Sequence, residues 1–166
     1  MVRVKIGDKE LRLLAMLQTD CKQSLKTISK KLGMPMSTVH EKVRKLEAEG
    51  IVKGYHAEVN SERVGLTVTA YLLVNLDTHT LAGKHVSPAV VAAQIAKIPL
   101  VQEIQVVTGQ YDLIVKVKAR NIHELGEYVI ERVREVDGIN RTMTLNAFNT
   151  PKESSLLPLT DWMLKE

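Results

Sequence analysis

The chain has 166 residues, which is enough for one large domain or two small ones, and its 45% hydrophobic and 25% charged residues are an ordinary balance for a soluble globular protein. Cys21 is the single cysteine, which excludes an internal disulfide framework and a thiolate zinc site. We see no signal-peptide pattern and no apolar run of membrane-spanning length, so we expect a cytoplasmic protein without a membrane segment.

The net charge of +4 is unevenly distributed along the chain. Residues 1–60 contain 12 Lys/Arg and 7 Asp/Glu, a net charge of +5, whereas residues 61–166 contain 11 and 12, a net charge of −1. A basic segment joined to a neutral one is typical of a nucleic-acid-binding domain attached to a second domain.

Three helices are predicted in the basic segment. Asp8–Leu17 can be capped by Gly7 or Asp8 and has an apolar face made of Leu11, Leu14, Ala15 and Leu17. Leu25–Leu32 and a helix beginning near Pro35 each carry one apolar stripe, with Gly33–Pro35 as the turn between them. Gly50 ends the third helix, and the weak alternation of Ile51–Val59 predicts a short strand.

The third helix has a polar, basic side opposite its apolar stripe of Val39, Val43 and Leu46. That side carries Ser37, Glu41, Arg44 and Ala48, flanked by Thr38, His40 and Lys45. Such a helix can enter the major groove of DNA, where arginine reaches guanine edges and Ser/Thr reach bases or phosphates. Periodicity alone is equally compatible with a plain helical hairpin whose charged face is solvated.

The pattern of apolar residues changes after a predicted hinge at Asn60–Gly65, and strands are now predicted as well as helices. Strands are predicted at Leu66–Leu76, Val101–Thr108, Tyr111–Ala119 and Ile139–Phe148. Helices are predicted from Pro88 to near Pro99 and after a cap at Asn121, the latter with a stripe formed by Ile122, Leu125, Val129, Val133 and Val136. The order β-α-β-β-α-β is that of a ferredoxin-like unit.

Two helices cover only one face of such a sheet. We expect the other face to carry apolar residues and to pack against a second copy of the chain as a homodimer; the residues predicted there are Tyr71, Leu73, Val107, Thr142 and Thr144. The apolar tail 151–166, with Leu156, Leu157, Leu159, Trp162 and Met163, is expected to dock on the C-terminal domain of its own or another subunit.

Asp8–Leu17, Leu25–Leu32, Ser37-Thr38-Val39 and Lys42–Val52 together resemble the DNA-binding domain of the Lrp/AsnC (feast/famine) transcription regulators. Pro35 stands where that family often has a capping serine, and Lys42 stands where arginine is usual. The resemblance implies an α+β protein with a winged helix-turn-helix domain (1–60), a ferredoxin-like RAM effector domain (61–150) and a tail (151–166). The implied DNA-contacting residues are Ser37, Thr38, His40, Glu41, Lys42, Arg44 and Lys45.

The turn Thr108-Gly109-Gln110-Tyr111-Asp112 is similar to the effector motif of the same family. On its residues alone, Gly109 supplies a positive φ for a hairpin and Asp112 is an acid at a strand end. The resemblance implies that a small amino acid binds here between adjacent dimers, which assemble into tetramers or octamers. Asp112 would pair with the ligand's ammonium group, and Gly109 would allow close backbone approach.

The sequence has three other interpretations. Asp77, His79 and His85 are candidates for a metal site, but their spacing is not diagnostic and solvated loop histidines explain them as well. A ferredoxin-like enzyme requires a nucleophile with a base or convergent acids, a set that the sequence does not suggest. An amino-acid-binding module of ACT type shares the strand order but needs no DNA, and the basic N-terminal segment argues against it.

Overall fold

The computed structural model describes residues 6–77 and 86–159. Their contacts form two compact units, one from residues within Met1–Ala57 and Lys152–Glu166 and the other from residues within Glu58–Pro151. Among the described residues, no helix is long and apolar enough to cross a membrane.

Apart from the strand predicted for Ile51–Val59, the helices and strands occur in the predicted order. The first unit contains α1 (Asp8–Thr19), α2 (Leu25–Leu32) and α3 (Met36–Ala48). The second contains β1 (Val68–Leu76), α4 (Pro88–Ile95), β2 (Val101–Val106), β3 (Leu113–Ala119), the helical segment α5 and β4 (Ile139–Asn146). The segment α5 runs as α-helical Ile122–Glu124, a π-helical stretch Leu125–Ile130 and α-helical Glu131–Arg134.

The three helices of the first unit enclose a small apolar core. Its buried members are Leu13, Leu14, Ile28, Met34, Val39 and Leu46. Leu13, which is fully buried, was missing from the predicted face of α1. Glu10 helps to cap the start of α1, because its Oε2 accepts a hydrogen bond from the backbone N–H of Gly7 at 2.7 Å.

The strand predicted for Ile51–Val59 does not form. Gly50 has a φ of +67°, and the N–H of Ile51 donates to the carbonyl of Leu46, which turns the chain back over α3 in a Schellman motif. Ile51 and Val52 then pack on the helical core instead of extending. Further along, Tyr55 donates to Oε1 of Glu47 at 2.8 Å; burial and this bond raise the pKa of Tyr55 to about 12.

One ion pair joins α1 to α3. The ammonium group of Lys42 donates to Oε1 of Glu10 at 2.8 Å, and both side chains are mostly buried, with 28% and 20% exposed. The bond from Lys42, followed by the one from Gly7, lowers the pKa of Glu10 below its ordinary value of 4.5. Lys42 therefore contributes to the packing of the helices and is not simply a surface cation.

The second unit is an antiparallel sheet in the order β2-β3-β1-β4, covered on one face by α4 and α5. Its core is formed by alternate residues of β1 and β3 together with residues from both helices. The buried strand residues are Ala70, Leu72, Val74, Leu113, Val115, Val117 and Ala119. Gly138 precedes β4 with a φ of +93°, and a Cβ there would lie 2.8 Å from Cγ1 of Val86.

The face of the sheet without helices, called the open face below, differs from the prediction on one strand. Tyr71 and Leu73 lie on it as expected, but their partners on β4 are Leu145 and Met143. Thr142 and Thr144 are opposite Val74 and Leu72, on the helix side, and Val107 follows the end of β2. A register shift next to Asn75/Leu76 pairs Leu76 with Ile139 and reverses the alternation of β4, which sequence periodicity does not reveal.

The predicted stripe of α5 is correct except at its start. Leu125, Val129 and Val133 are buried and Val136 packs beside them, but 58% of Ile122 is exposed. A π-helical stretch takes more residues per turn than an α-helix, so it shifts the phase of Ile122 relative to the buried residues.

The described part of the tail, residues 152–159, does not lie where we expected it. Leu159 packs against the core of the three helices, and Gln18 of α1 bonds the backbone of Leu157. The contact is therefore with the first unit and not with the C-terminal domain. Trp162 and Met163 lie outside the described residues.

The Glu10–Lys42 pair predicts a pH-dependent stability. A carboxylate whose pKa is lowered by folding stabilises the protein above pH 4.5, and that contribution disappears as the pH falls through the lowered pKa. We expect Glu10→Gln to cost about 0.5–1 kcal/mol near pH 7, the range of a partly exposed pair, and to cost progressively less as the pH falls below 4.5.

Thermal unfolding followed by circular dichroism between pH 3 and 7 measures this difference. Glu41→Gln, which removes an exposed carboxylate from α3, is the matched control for the change in net charge. A constant gap between wild type and Glu10→Gln at every pH would contradict the electrostatic origin.

Candidate DNA-binding and effector sites

The outer surface of α3 carries the residues predicted to contact DNA. Five of the seven are exposed: Ser37, His40, Glu41, Arg44 and Lys45. Thr38 and Lys42 are half-buried. Val39 and Leu46, on the opposite side, are buried in the helical core, so the polar face is directed away from the unit.

The turn before α3 is fixed by backbone hydrogen bonds. Gly33 has a φ of +61°, its N–H donates to the carbonyl of Lys30, and the N–H of Met34 donates to the carbonyl of Ser29 at 3.1 Å. These two bonds form a Schellman motif, and Met34 packs with Ile28 as that motif favours. The chain therefore leaves α2 in one defined direction and enters α3 three residues later.

The start of α3 differs slightly from the prediction. Pro35 is the N-cap residue and the helix begins at Met36, with no side chain bonding the first turn. Ser37 is exposed within that first turn. Unbonded N–H groups at a helix start, with a hydroxyl beside them, are suited to a phosphate oxygen.

The cations on α3 are not equivalent. Lys42 is paired with Glu10, and Lys45 is 3.8 Å from Glu49 with 65% of its side chain exposed. Arg44 is exposed and, among residues 6–77 and 86–159, makes no hydrogen bond or ion pair. Its five donors are therefore available to a partner outside the chain.

The predicted effector turn lies between β2 and β3 and is held against β1 by Asp112. The N–H of Leu76 donates to Oδ2 of Asp112 at 2.8 Å. The backbone of Asp112 donates to Val74 and accepts from Val107, both at 2.9 Å. The carboxylate therefore has a structural role inside the chain that the sequence did not indicate.

The remaining residues of the turn are placed around this anchor. Thr108, Gly109 and Gln110 are exposed, and Gly109 has a φ of +129°, a conformation that few other residues adopt. The side-chain amide of Asn75 donates to the carbonyl of Gln110. The hydroxyl of Tyr111 donates to Sδ of Met143 at 3.5 Å, so the turn contacts the open face of the sheet.

A groove that the sequence did not indicate lies at the start of α5. Its volume is about 720 Å³, and none of the five turn residues lines it. Four of its ionisable lining residues form two pairs, since Arg120 lies 2.7 Å from Glu124 and His123 lies 3.0 Å from Glu127. The groove therefore offers no unsatisfied charge from these two pairs to a ligand.

The candidate metal ligands are only partly visible. Asp77 is exposed after β1, while His79 and His85 lie outside the described residues. Within the described ranges, no group of three or more His, Cys, Asp and Glu residues is placed to hold a metal ion.

Sequence reasoning missed Glu10 and Gln18. Each bonds a residue far away in the chain, Lys42 at a separation of 32 and Leu157 at a separation of 139. No local pattern predicts such pairs, because both residues look like ordinary polar positions of an amphipathic helix.

Comparison with known proteins assigns both units. A family model described as winged helix-turn-helix DNA-binding matches residues 7–53, and one described as Lrp/AsnC ligand binding domain matches residues 69–157. An uncharacterised HTH-type transcriptional regulator of Pyrococcus abyssi is 38% identical over 150 residues, which are 90% of this chain and 97% of that protein. The HTH-type transcriptional regulator FL11 of Pyrococcus horikoshii is 33% identical over 95% of this chain and 99% of its own.

Solved structures share the fold at lower identity. A transcriptional regulator of Neisseria meningitidis in complex with L-methionine matches with a TM-score of 0.83 and 20% identity, over 94% of this chain and 98% of that chain. AsnC of Escherichia coli matches with a TM-score of 0.80 and 22% identity, over 92% and 99%.

The two family models follow each other along the chain, and the relatives match over almost their whole length. These relatives are named as transcriptional regulators, and the ACT-type interpretation is not favoured because residues 7–53 match a DNA-binding domain. The chain belongs to the Lrp/AsnC family and is a transcriptional regulator with a helix-turn-helix DNA-binding domain and a ligand-binding domain.

Proposed function

We propose that α3 enters the major groove and that Arg44 reads a base there. The observation that supports this is the contrast among the cations of α3, where Lys42 is held by Glu10 and Arg44 has no partner among the described residues. An unpaired guanidinium on an exposed helix face can bond O6 and N7 of guanine. Ser37, Thr38, His40, Glu41 and Lys45 are the other candidate contacts, and Lys42 acts by fixing α3 on α1.

Replacing Arg44 tests this assignment. We expect Arg44→Ala to weaken binding to a selected operator by about 1–3 kcal/mol and to relax the preference for one base pair. Lys45→Ala, the neighbouring exposed cation, should weaken binding to all sequences alike and lower the salt slope by about 1. Anisotropy titrations with operator and random duplexes at several salt concentrations measure both; an unchanged operator preference in Arg44→Ala would exclude the role.

The open face supports a homodimer. Tyr71 and Leu73 pair with Leu145 and Met143 on it, and Ile114 lies beside Leu73 on β3. Leu145 and Met143 are 47% and 39% exposed in the single chain, as expected for an apolar surface that still lacks its partner. A two-fold dimer formed through this face would present two α3 helices to the two halves of a pseudo-palindromic operator.

A charge placed on the open face should separate the dimer. Leu145→Lys would bury one unpaired ammonium group per chain at the interface, which we expect to weaken the dimer at least about 100-fold. Val90→Lys on α4, where 57% of the residue is exposed on the helix side, is the matched control and should remain dimeric. Sedimentation equilibrium at micromolar concentration distinguishes these outcomes, and a dimeric Leu145→Lys would place the interface elsewhere.

The effector is proposed to be an amino acid bound at the turn Thr108–Asp112. The support is the match of residues 69–157 to a ligand-binding domain, together with the structural neighbours from Neisseria meningitidis and Mycobacterium tuberculosis that were solved with L-methionine. Asp112 offers a carboxylate to an ammonium group, and the exposed backbone of Gly109 allows close approach.

This location would connect the ligand to assembly. Tyr111 touches Met143 on the open face, so a ligand that moves the turn also moves a side chain next to the dimer interface. A ligand enclosed between two dimers would also shift the balance among dimers, tetramers and octamers, and with it the spacing of DNA-binding domains along a promoter. We take residues 1–60 as the DNA-binding domain and 61–150 as the effector and assembly domain.

Asp112→Asn separates the charge of Asp112 from its structural bond, since an amide oxygen can still accept from Leu76. We expect this variant to fold and bind DNA but to lose about 10–100-fold in affinity for the amino acid, because a charge-assisted bond is lost. The amino acid is found by a thermal-shift screen of the twenty, starting with L-methionine, and its affinity is measured by calorimetry. Glu131→Gln on α5 is the control; equal affinities in wild type and Asp112→Asn would place the site elsewhere.

A further inference from the structure

The end of the described chain makes a specific contact with the helix-turn-helix unit. The side-chain amide of Gln18 donates to the carbonyl of Leu157 at 3.1 Å, and the N–H of Leu157 donates to Oε1 of Gln18 at 2.9 Å. One carboxamide thus satisfies both polar groups of one peptide residue, as a neighbouring strand would. Such a two-bond contact is more than the incidental approach of a frayed terminus.

The sequence around Leu157 favours the backbone conformation that this contact requires. Pro158 restricts Leu157 to extended conformations, which turns its N–H and carbonyl outward towards a partner. The N–H of Leu159 then donates to the carbonyl of Leu157 at 2.9 Å across Pro158, which is a γ-turn. This turn directs Leu159 onto the core of α1, α2 and α3, while 64% of Leu157 remains exposed.

The contact also affects how the two units are connected along the chain. The second unit, Glu58–Pro151, is inserted between the two parts of the first, so it is joined to the DNA-binding helices at both of its ends. A segment held by a tether of a few residues experiences an effective concentration in the millimolar range, so even a weak contact stays formed.

We propose that residues 152–159 are a strap that docks in cis on the Gln18 surface of α1 and forms part of the DNA-binding domain. The partner of this surface is the chain's own C-terminal segment, anchored by the Leu157 backbone and the Leu159 side chain. The strap stabilises the three-helix unit. Because two chain segments then join this unit to the effector unit, its movement relative to the effector unit is restrained. The restraint on DNA binding rests on the proposed function, whereas the docking itself does not.

Hydrogen–deuterium exchange on full-length variants tests the docking. Leu159→Ala removes the apolar anchor and Gln18→Met removes both hydrogen bonds at similar side-chain size; each should speed exchange of α1 amides about 5–30-fold and leave β3 unchanged. Leu157→Ala is the matched control, because its side chain is exposed and its backbone bonds remain. Exchange in α1 that is unchanged in both variants would overturn the strap.

The same measurement in a Leu145→Lys background separates a strap in cis from one exchanged between two copies. If α1 protection persists in the monomer and still depends on Leu159, the strap belongs to the same chain. Protection lost on monomerisation alone would assign the tail to a second copy and overturn the proposal.

Operator binding gives an independent readout of the restraint. We expect Leu159→Ala to change operator affinity severalfold, while Leu157→Ala matches wild type. Faster α1 exchange in a protein that binds no DNA would leave the docking in place and refute the proposed function. Normal DNA binding with unchanged α1 exchange would refute the docking and leave the proposed function in place.

Discussion

A four-stranded sheet with two helices packed on one side has a second face that these helices do not cover, and this constraint organises the described part of the second unit. β1 and β3 bury every second residue under α4 and α5, which directs Tyr71, Leu73 and Ile114 to the other side. The register shift between β1 and β4 adds Met143 and Leu145 to the same side. These exposed and half-buried apolar side chains are the basis of the homodimer that we propose, and a two-fold pair of chains is what a symmetric DNA site requires.

In the first unit, the packing holds the short helix α3 in a fixed orientation and leaves its polar side exposed. Schellman motifs at Gly33 and Gly50 set the direction of the chain before and after α3. The pair of Glu10 with Lys42 ties α3 to α1 and leaves Arg44 available. One cation is thus used for packing, while another, only two positions away in the sequence, is left available for the base recognition that we propose.

The sequence allowed the order of elements, the fold class and the family to be predicted, since these depend on periodicity, glycine and proline positions and local motifs. It failed where geometry depends on residues far apart or on an irregularity. The face of Thr142 and Thr144 depended on a register shift, the exposure of Ile122 on a π-helical stretch, and the packing of Ile51 on a turn that replaced a strand. The partners of Lys42, Gln18 and Asp112 could not be predicted, because each lies on another element.

An amino acid bound at the turn and DNA bound at α3 are proposed to act on the same equilibrium, which is the assembly of the dimers into tetramers and octamers. Linkage requires that the factor by which the amino acid changes operator affinity equals the factor by which operator DNA changes amino-acid affinity. Both factors can be measured on the full chain by operator titrations with and without the amino acid and by amino-acid calorimetry with and without operator. We expect equal factors of about 5–150-fold, both abolished in Asp112→Asn. Factors of one in both directions, with the amino acid and the operator each bound, would contradict this proposal.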